Sequence, residues 1–127
     1  AGREAFRRLR AAHPGVTAFL CTTDAMAVGA VAEARREGIR VPEDVSITGF
    51  DDVEIAAETD PPLTTVKVPA AEIGAIAADR LIGIIEGGPA AAIAPIAPLE
   101  AALVVRGSTG PVAGPVARKR RTRAAAA

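Results

Sequence analysis

The stretch SITGFDD, Ser46–Asp52, decides the fold. Small and apolar residues alternate up to Gly49, and the run then meets Phe50 and two adjacent aspartates. A buried strand that ends on paired carboxylates puts charge at the edge of a core, where it serves a ligand, a metal or a helix terminus. Which of these holds depends on the elements to either side.

Upstream, Ala5–Ala12 reads as the end of an amphipathic helix closed by the turn HPG, and Val16–Thr22 (VTAFLCT) as a short apolar strand buried on both faces. The next segment, TDAMAVGAVAEARREG, predicts a helix. Thr23 or Asp24 caps its start, Ala27, Ala30, Val31 and Ala34 recur at helical spacing, and Gly38 stops it. A proline turn leads into the strand Val45–Gly49, followed by a polar segment with one or two helical turns. After DPP come a third strand, TTVKV, and a helix from about Ala70 to Glu86 that ends at Gly87 and Gly88. An Ala, Ile and Pro-rich passage precedes a last strand around Ala102–Arg106. Strands and helices alternating at these lengths predict an α/β fold with a mainly parallel sheet flanked by helices. In such sheets ligands collect outside the carboxyl ends of the strands. Thr22, Thr23 and Asp24 follow the first strand, and Asp51 and Asp52 follow the second, so three carboxylates and two hydroxyls are expected at one crevice.

Composition narrows the function. The 127 residues, 50% hydrophobic, suit one domain with a core. With three Phe and no Trp or Tyr, stacking platforms for nucleic acid bases are lacking. The single Cys21 forms no intramolecular disulfide and fits a reduced, cytoplasmic chain. No apolar run approaches the roughly 20 residues that span a bilayer, and AGREAFRRLR lacks a signal peptide's apolar centre, so no membrane is expected as a partner. The chain begins without Met and inside a helical pattern, as a fragment, a processed chain or a misplaced start would. Its neutral net charge is divided. From Pro111 onward there are five basic residues and no acidic ones, which leaves residues 1–110 with a net charge of −5. Residues 111–127 are expected to be a disordered, solvated basic tail with no dedicated partner, any phosphate binding through its Arg118–Arg123 cluster being weak and without sequence preference.

The segments FLCTTDAMAVGAVAEARREGIRVPEDVSITGFDD, DPPLTTVKVPAAEIGAIAADRLIGIIEGG and LVVRGST, in that order, resemble the C-terminal part of the effector-binding region of LacI/GalR-type transcriptional repressors. The resemblance covers residues 2–109 and implies a partial, type I periplasmic-binding-protein-like fold over residues 1–110. It implies a regulator without catalytic residues, metal or cofactor, which works as a homodimer on a small effector such as a sugar or nucleobase. Carried over by position, Asp51 is the carboxylate that accepts hydrogen bonds from the effector, and Thr23 is a second polar contact. Asp24 and Phe50 are further effector candidates, Asp52 is expected to cap the short helix after it, and Val28, Val31, Ile55 and Ala56 are candidates for the dimer surface. DNA reading is expected from a headpiece that this sequence lacks. The resemblance also implies that the helix Ala70–Glu86 belongs against a sheet absent here, so that its isoleucines are left without a native partner.

The rival reading is a Mg²⁺-dependent receiver-like or phosphoryl-transfer module built on Asp24, Asp51 and Asp52, with Lys67 as the basic partner. No GxxxxGK[ST] loop supports it. Nucleophilic catalysis has less support, because the only histidine, His13, lies in the HPG turn and nothing in the spacing places Cys21 or Ser46 beside it.

Overall fold

Phe19 and Ile47 are register partners in two parallel strands, β1 (Ala18–Leu20) and β2 (Ser46–Thr48), and both are buried. The structure is a computed structural model and describes residues 1–87 and 97–112. The basic cluster Arg118–Arg123, and most of the Ala and Pro-rich passage, lie outside the described residues.

Two helices cover the pair of strands. Helix α1 (Gly2–Ala12) sets Phe6 against Phe19 with ring centroids 4.8 Å apart, a tilted aromatic contact at the favourable separation. Helix α2 (Asp24–Arg36) buries Ala27, Ala30, Val31 and Ala34, the set expected from its spacing. It starts at Thr23, whose hydroxyl accepts the Met26 amide, and stops at Gly38, whose φ of 71° is the left-handed conformation that favours glycine. The two helices cross very closely. A Cβ on Gly2 would lie 2.1 Å from the Met26 carbonyl oxygen, so only glycine permits this approach.

The sheet then extends from β2 through parallel bridges, Thr48 to Thr64 and Asp51 to Lys67, into β3 (Thr65–Lys67). Strand β4 (Ala102–Val104) closes it, running antiparallel to β3 with Thr65 opposite Val104. Ser108, after β4, is buried and stitches the strands together. Its hydroxyl donates to the Ile47 carbonyl at 2.6 Å and accepts the Thr64 amide at 2.8 Å, while its carbonyl accepts the Ile47 amide at 2.9 Å. Val45, Ile47, Ala56 and Leu63 complete the core with α1 and α2. Each large apolar side chain buried this way contributes roughly 1.5–3 kcal/mol.

Two expectations are corrected. The first strand is not buried on both faces: Phe19 points into the core, but its neighbour Leu20 is 84% exposed. Helices α1 and α2 cover the Phe19 face, while on the other face Ala18 and Leu20 are exposed and Ser46 and Thr48 are partly covered. The residue after Asp51 does not cap a helix either. The short helix α3 (Ile55–Glu58) has Glu54 at its N-cap with no side-chain cap bond, and Asp52 is engaged elsewhere.

Helix α4 (Ala70–Gly87) forms over the expected residues and buries none of them. Ile76 and Ile84 are half-buried, so the apolar residues that stand out into solvent are Ile73, Leu81, Ile82 and Ile85. No helix among the described residues is long and apolar enough to cross a membrane.

The turn RVPED is held by charge. Asp44 accepts the Arg40 amide at 2.8 Å and both forks of its guanidinium, at 2.7 and 3.0 Å. The Arg40 guanidinium and amide hold the Asp44 carboxyl at about 2, below its ordinary 3.8. A depressed carboxyl stabilises the fold above its unfolded value and loses that contribution as pH falls through the folded one. Acid denaturation should therefore show a component between pH 3.8 and about 2 that Asp44→Asn removes, measured by urea midpoints across that range. The exposed face of α4 should make the chain self-associate. Light scattering at high micromolar concentration should show dimers and larger species that dissociate when Leu81 and Ile85 are replaced by Glu.

Candidate functional site

Residues 50–53, at the carboxyl end of β2, are pinned at four points. The Phe50 carbonyl accepts the Asp24 amide at 2.8 Å, and the Asp51 amide donates to the Val66 carbonyl at 2.9 Å. The Val53 amide donates to Asp24 Oδ2 at 2.9 Å, and Asp52 Oδ1 accepts Arg106 Nη2 at 2.6 Å. These bonds bring the TTD and GFDD segments to one end of the sheet, as the sequence predicts.

Asp24 is the centre of this arrangement. It is fully buried at the first turn of α2, where its negative charge meets the positive end of the helix dipole. Its Oδ1 accepts the Thr65 hydroxyl at 2.6 Å while Oδ2 takes the Val53 amide, so both oxygens are used inside the protein. Glycine precedes Phe50 for the same reason: a Cβ on Gly49 would fall 2.0 Å from Asp24 Oδ1. The buried carboxylate and the absent side chain occupy one space.

The two aspartates of GFDD part company. Asp51 and Asp52 are the non-glycine residues with positive φ among those described, at 109° and 55°. Such conformations cost on the order of 1–3 kcal/mol each and persist only where surrounding bonds impose them. Asp52 turns toward Arg106 in a pair whose side chains are only 13% and 21% exposed. The Arg106 guanidinium also donates to the Leu63 carbonyl at 2.8 Å, and its amide to the Thr64 hydroxyl at 2.9 Å. Asp51 is exposed, and its carboxylate has no partner among the described residues. Thr23 is half-buried, its hydroxyl accepting the Met26 amide, and Phe50 is 40% exposed.

Arg106 is the residue that sequence reasoning missed. The motif LVVRGST contains it, but nothing in local spacing pairs residue 106 with residue 52. The rival metal reading finds no support here, since Asp24 is spent on Thr65 and Val53 and Asp52 on Arg106. Among the described residues no three His, Cys, Asp or Glu side chains gather where they would hold an ion. Lys67 meets Asp51 through a backbone bridge. Cys21 is half-buried in an apolar pocket with Phe6, Phe19 and Met26, and burial pushes its thiol above the ordinary 9.0, away from the reactive thiolate.

Of the dimer-surface candidates, Val31 and Ala56 are buried in this chain's own core, Val28 is half-buried and Ile55 is half-exposed. A cleft of about 330 Å³ opens elsewhere, lined by Val31, Arg35, Ile39, Arg40, Asp60 and Pro61. It lies at the far end of α2, Arg35 being roughly 16 Å along the helix from Asp24.

Residues 1–109 match the family model described as a periplasmic binding protein-like domain. The chain is 38% identical over 109 residues to the HTH-type transcriptional repressor CytR of Escherichia coli K12, which covers 86% of this chain and 31% of that protein. Among solved structures it is similar to a transcriptional regulator CelR–cellobiose complex, with a TM-score of 0.74 and 35% identity over 84% of this chain and 32% of that one. It is also similar to the lac repressor dimer bound to operator and the anti-inducer ONPF, with a TM-score of 0.73 and 31% identity over 85% of this chain and 37% of that one. The chain thus spans about a third of the length of the relatives it matches. It belongs to the periplasmic binding protein-like domain family, and corresponds to the C-terminal part of the effector-binding domain of LacI/GalR-type transcriptional repressors.

Proposed function

We propose that this chain supplies one wall of a small-molecule effector pocket, and part of a dimer surface, in a cytoplasmic transcriptional regulator. The observation that carries the reading is the Asp51 carboxylate: exposed, without a partner among the described residues, and held on a backbone conformation that costs energy. A free carboxylate at the end of a buried strand accepts two or more charge-assisted hydrogen bonds, which suits vicinal sugar hydroxyls or the ring NH groups of a nucleobase. Phe50 offers an apolar surface beside it, and Thr23 a hydroxyl from the start of α2. Asp24 serves the pocket from behind, by fixing the backbone that carries Phe50 and Asp51.

The work of such a regulator is a shift between two arrangements of its parts, driven by the effector's different affinity for each. This chain has no catalytic step in that cycle. DNA reading belongs to another part of the regulator, and the Arg118–Arg123 cluster adds at most a weak, salt-sensitive attraction to phosphate. Val28 and Ile55 are the dimer-surface candidates that the chain's own core leaves accessible.

With one wall, affinity should be low, because most of the buried contact area of a complete pocket is missing. Titration of the chain with cellobiose, lactose and nucleosides, followed by amide chemical shifts, should give dissociation constants weaker than about 1 mM. The shifts should centre on Thr23, Phe50 and Asp51 and be lost in Asp51→Ala. Micromolar binding that survives Asp51→Ala, or shifts centred on the cleft at Arg35 and Asp60, would refute the assignment.

A further inference from the structure

Three of the four bonds that pin residues 50–53 come from backbone groups or from the buried Asp24 carboxylate. The fourth is different. It joins two side chains 54 residues apart, Asp52 and Arg106, and it comes from the chain that leaves β4. Arg106 is itself oriented, one arm of its guanidinium on the Leu63 carbonyl and the other on Asp52, with its own amide held by Thr64. Thr64 Oγ1 is hydrogen-bonded in turn to Thr109 Oγ1 at 2.9 Å. A flexible surface ion pair contributes little, but this one is mostly enclosed and has a fixed geometry on both sides.

The segment it grips is the one with unfavourable backbone angles. An L residue at φ 109° or 55° returns to negative φ unless something prevents it. The Asp51 amide bond to Val66 fixes one side of the peptide, and the Asp52 side chain, through Arg106, fixes the other. We propose that Arg106 is a positioning residue for Asp51: through Asp52 it holds residues 51 and 52 in the left-handed region, and so holds the free Asp51 carboxylate where it is presented at the end of β2. The inference rests on the reading of Asp51 as an effector contact, and adds that the contact is conditional on where β4 sits. A shift of β4 along β3 would withdraw Arg106, let the aspartates relax, and move the carboxylate without touching the pocket itself.

The test needs no effector, so it separates this proposal from the assignment of Asp51. Glycine accepts positive φ freely and alanine does not, so Asp51→Gly should melt above Asp51→Ala by about 5 °C, the reverse of the usual order. In an Arg106→Lys background that advantage should vanish, because the backbone is no longer held left-handed. Asp52→Ala removes the acceptor of the same pair from the other end, and should erase the advantage equally if Arg106→Lys fails to fold. A merely structural role would lower both position-51 variants together and leave their difference intact. A glycine advantage that persists in both backgrounds, or is absent from the start, overturns the proposal. If the advantage behaves as expected but sugar titrations never involve Asp51, the latch stands and the effector assignment falls.

Discussion

A carboxylate excluded from water must be fully hydrogen-bonded, and the fold is arranged around that constraint at Asp24. One oxygen takes a hydroxyl from β3, the other takes an amide from the loop after β2, and the backbone nitrogen closes on Phe50. Two segments that are far from it in the chain, β3 and the loop after β2, are thereby fixed to the start of one helix. Leaving any of these donors unpaired in the interior would cost about 1–3 kcal/mol, a sizeable part of the stability of a small domain. The glycine of GFDD and the burial of Thr65 both accommodate the same carboxylate.

The order and type of the elements were legible in the sequence because their signals are local. Ala27, Ala30, Val31 and Ala34 mark a helix face by spacing alone, and Thr23 and Gly38 punctuate its ends through hydrogen bonding and φ. The placement of TTD and GFDD at one end of the sheet followed from strand direction. The separate fates of Asp51 and Asp52 were not legible. The first is free and the second is paired with a residue 54 positions away, a contact that only the antiparallel return of β4 creates. The inward role of Asp24 was read only as far as the helix terminus, since its hydroxyl partner on β3 lies 41 residues downstream. Strand β1 misled for a related reason: an apolar run looks the same whether one face or both are covered, and here Leu20 remains exposed.

The apolar residues that find no place in the core share a common origin. Leu20 on β1, Leu103 and Val105 near β4, and the outer face of α4 are all exposed, while the core against α1 and α2 is closed. The matched relatives are about three times as long as this chain. In α/β folds sheet faces and helix stripes of this kind are normally covered by neighbouring elements.

Asp24 ties α2 to the loop after β2. Native-state hydrogen exchange in the intact chain and in Asp24→Ala tests it most directly, comparing the Val53 amide with the Ile47 amide, which is bonded to Ser108 and not to Asp24. Val53 should be protected in the intact chain and lose protection in the variant by at least about tenfold more than Ile47 does. A Val53 amide that exchanges freely in the intact chain, or one that loses no more protection than Ile47, would contradict it.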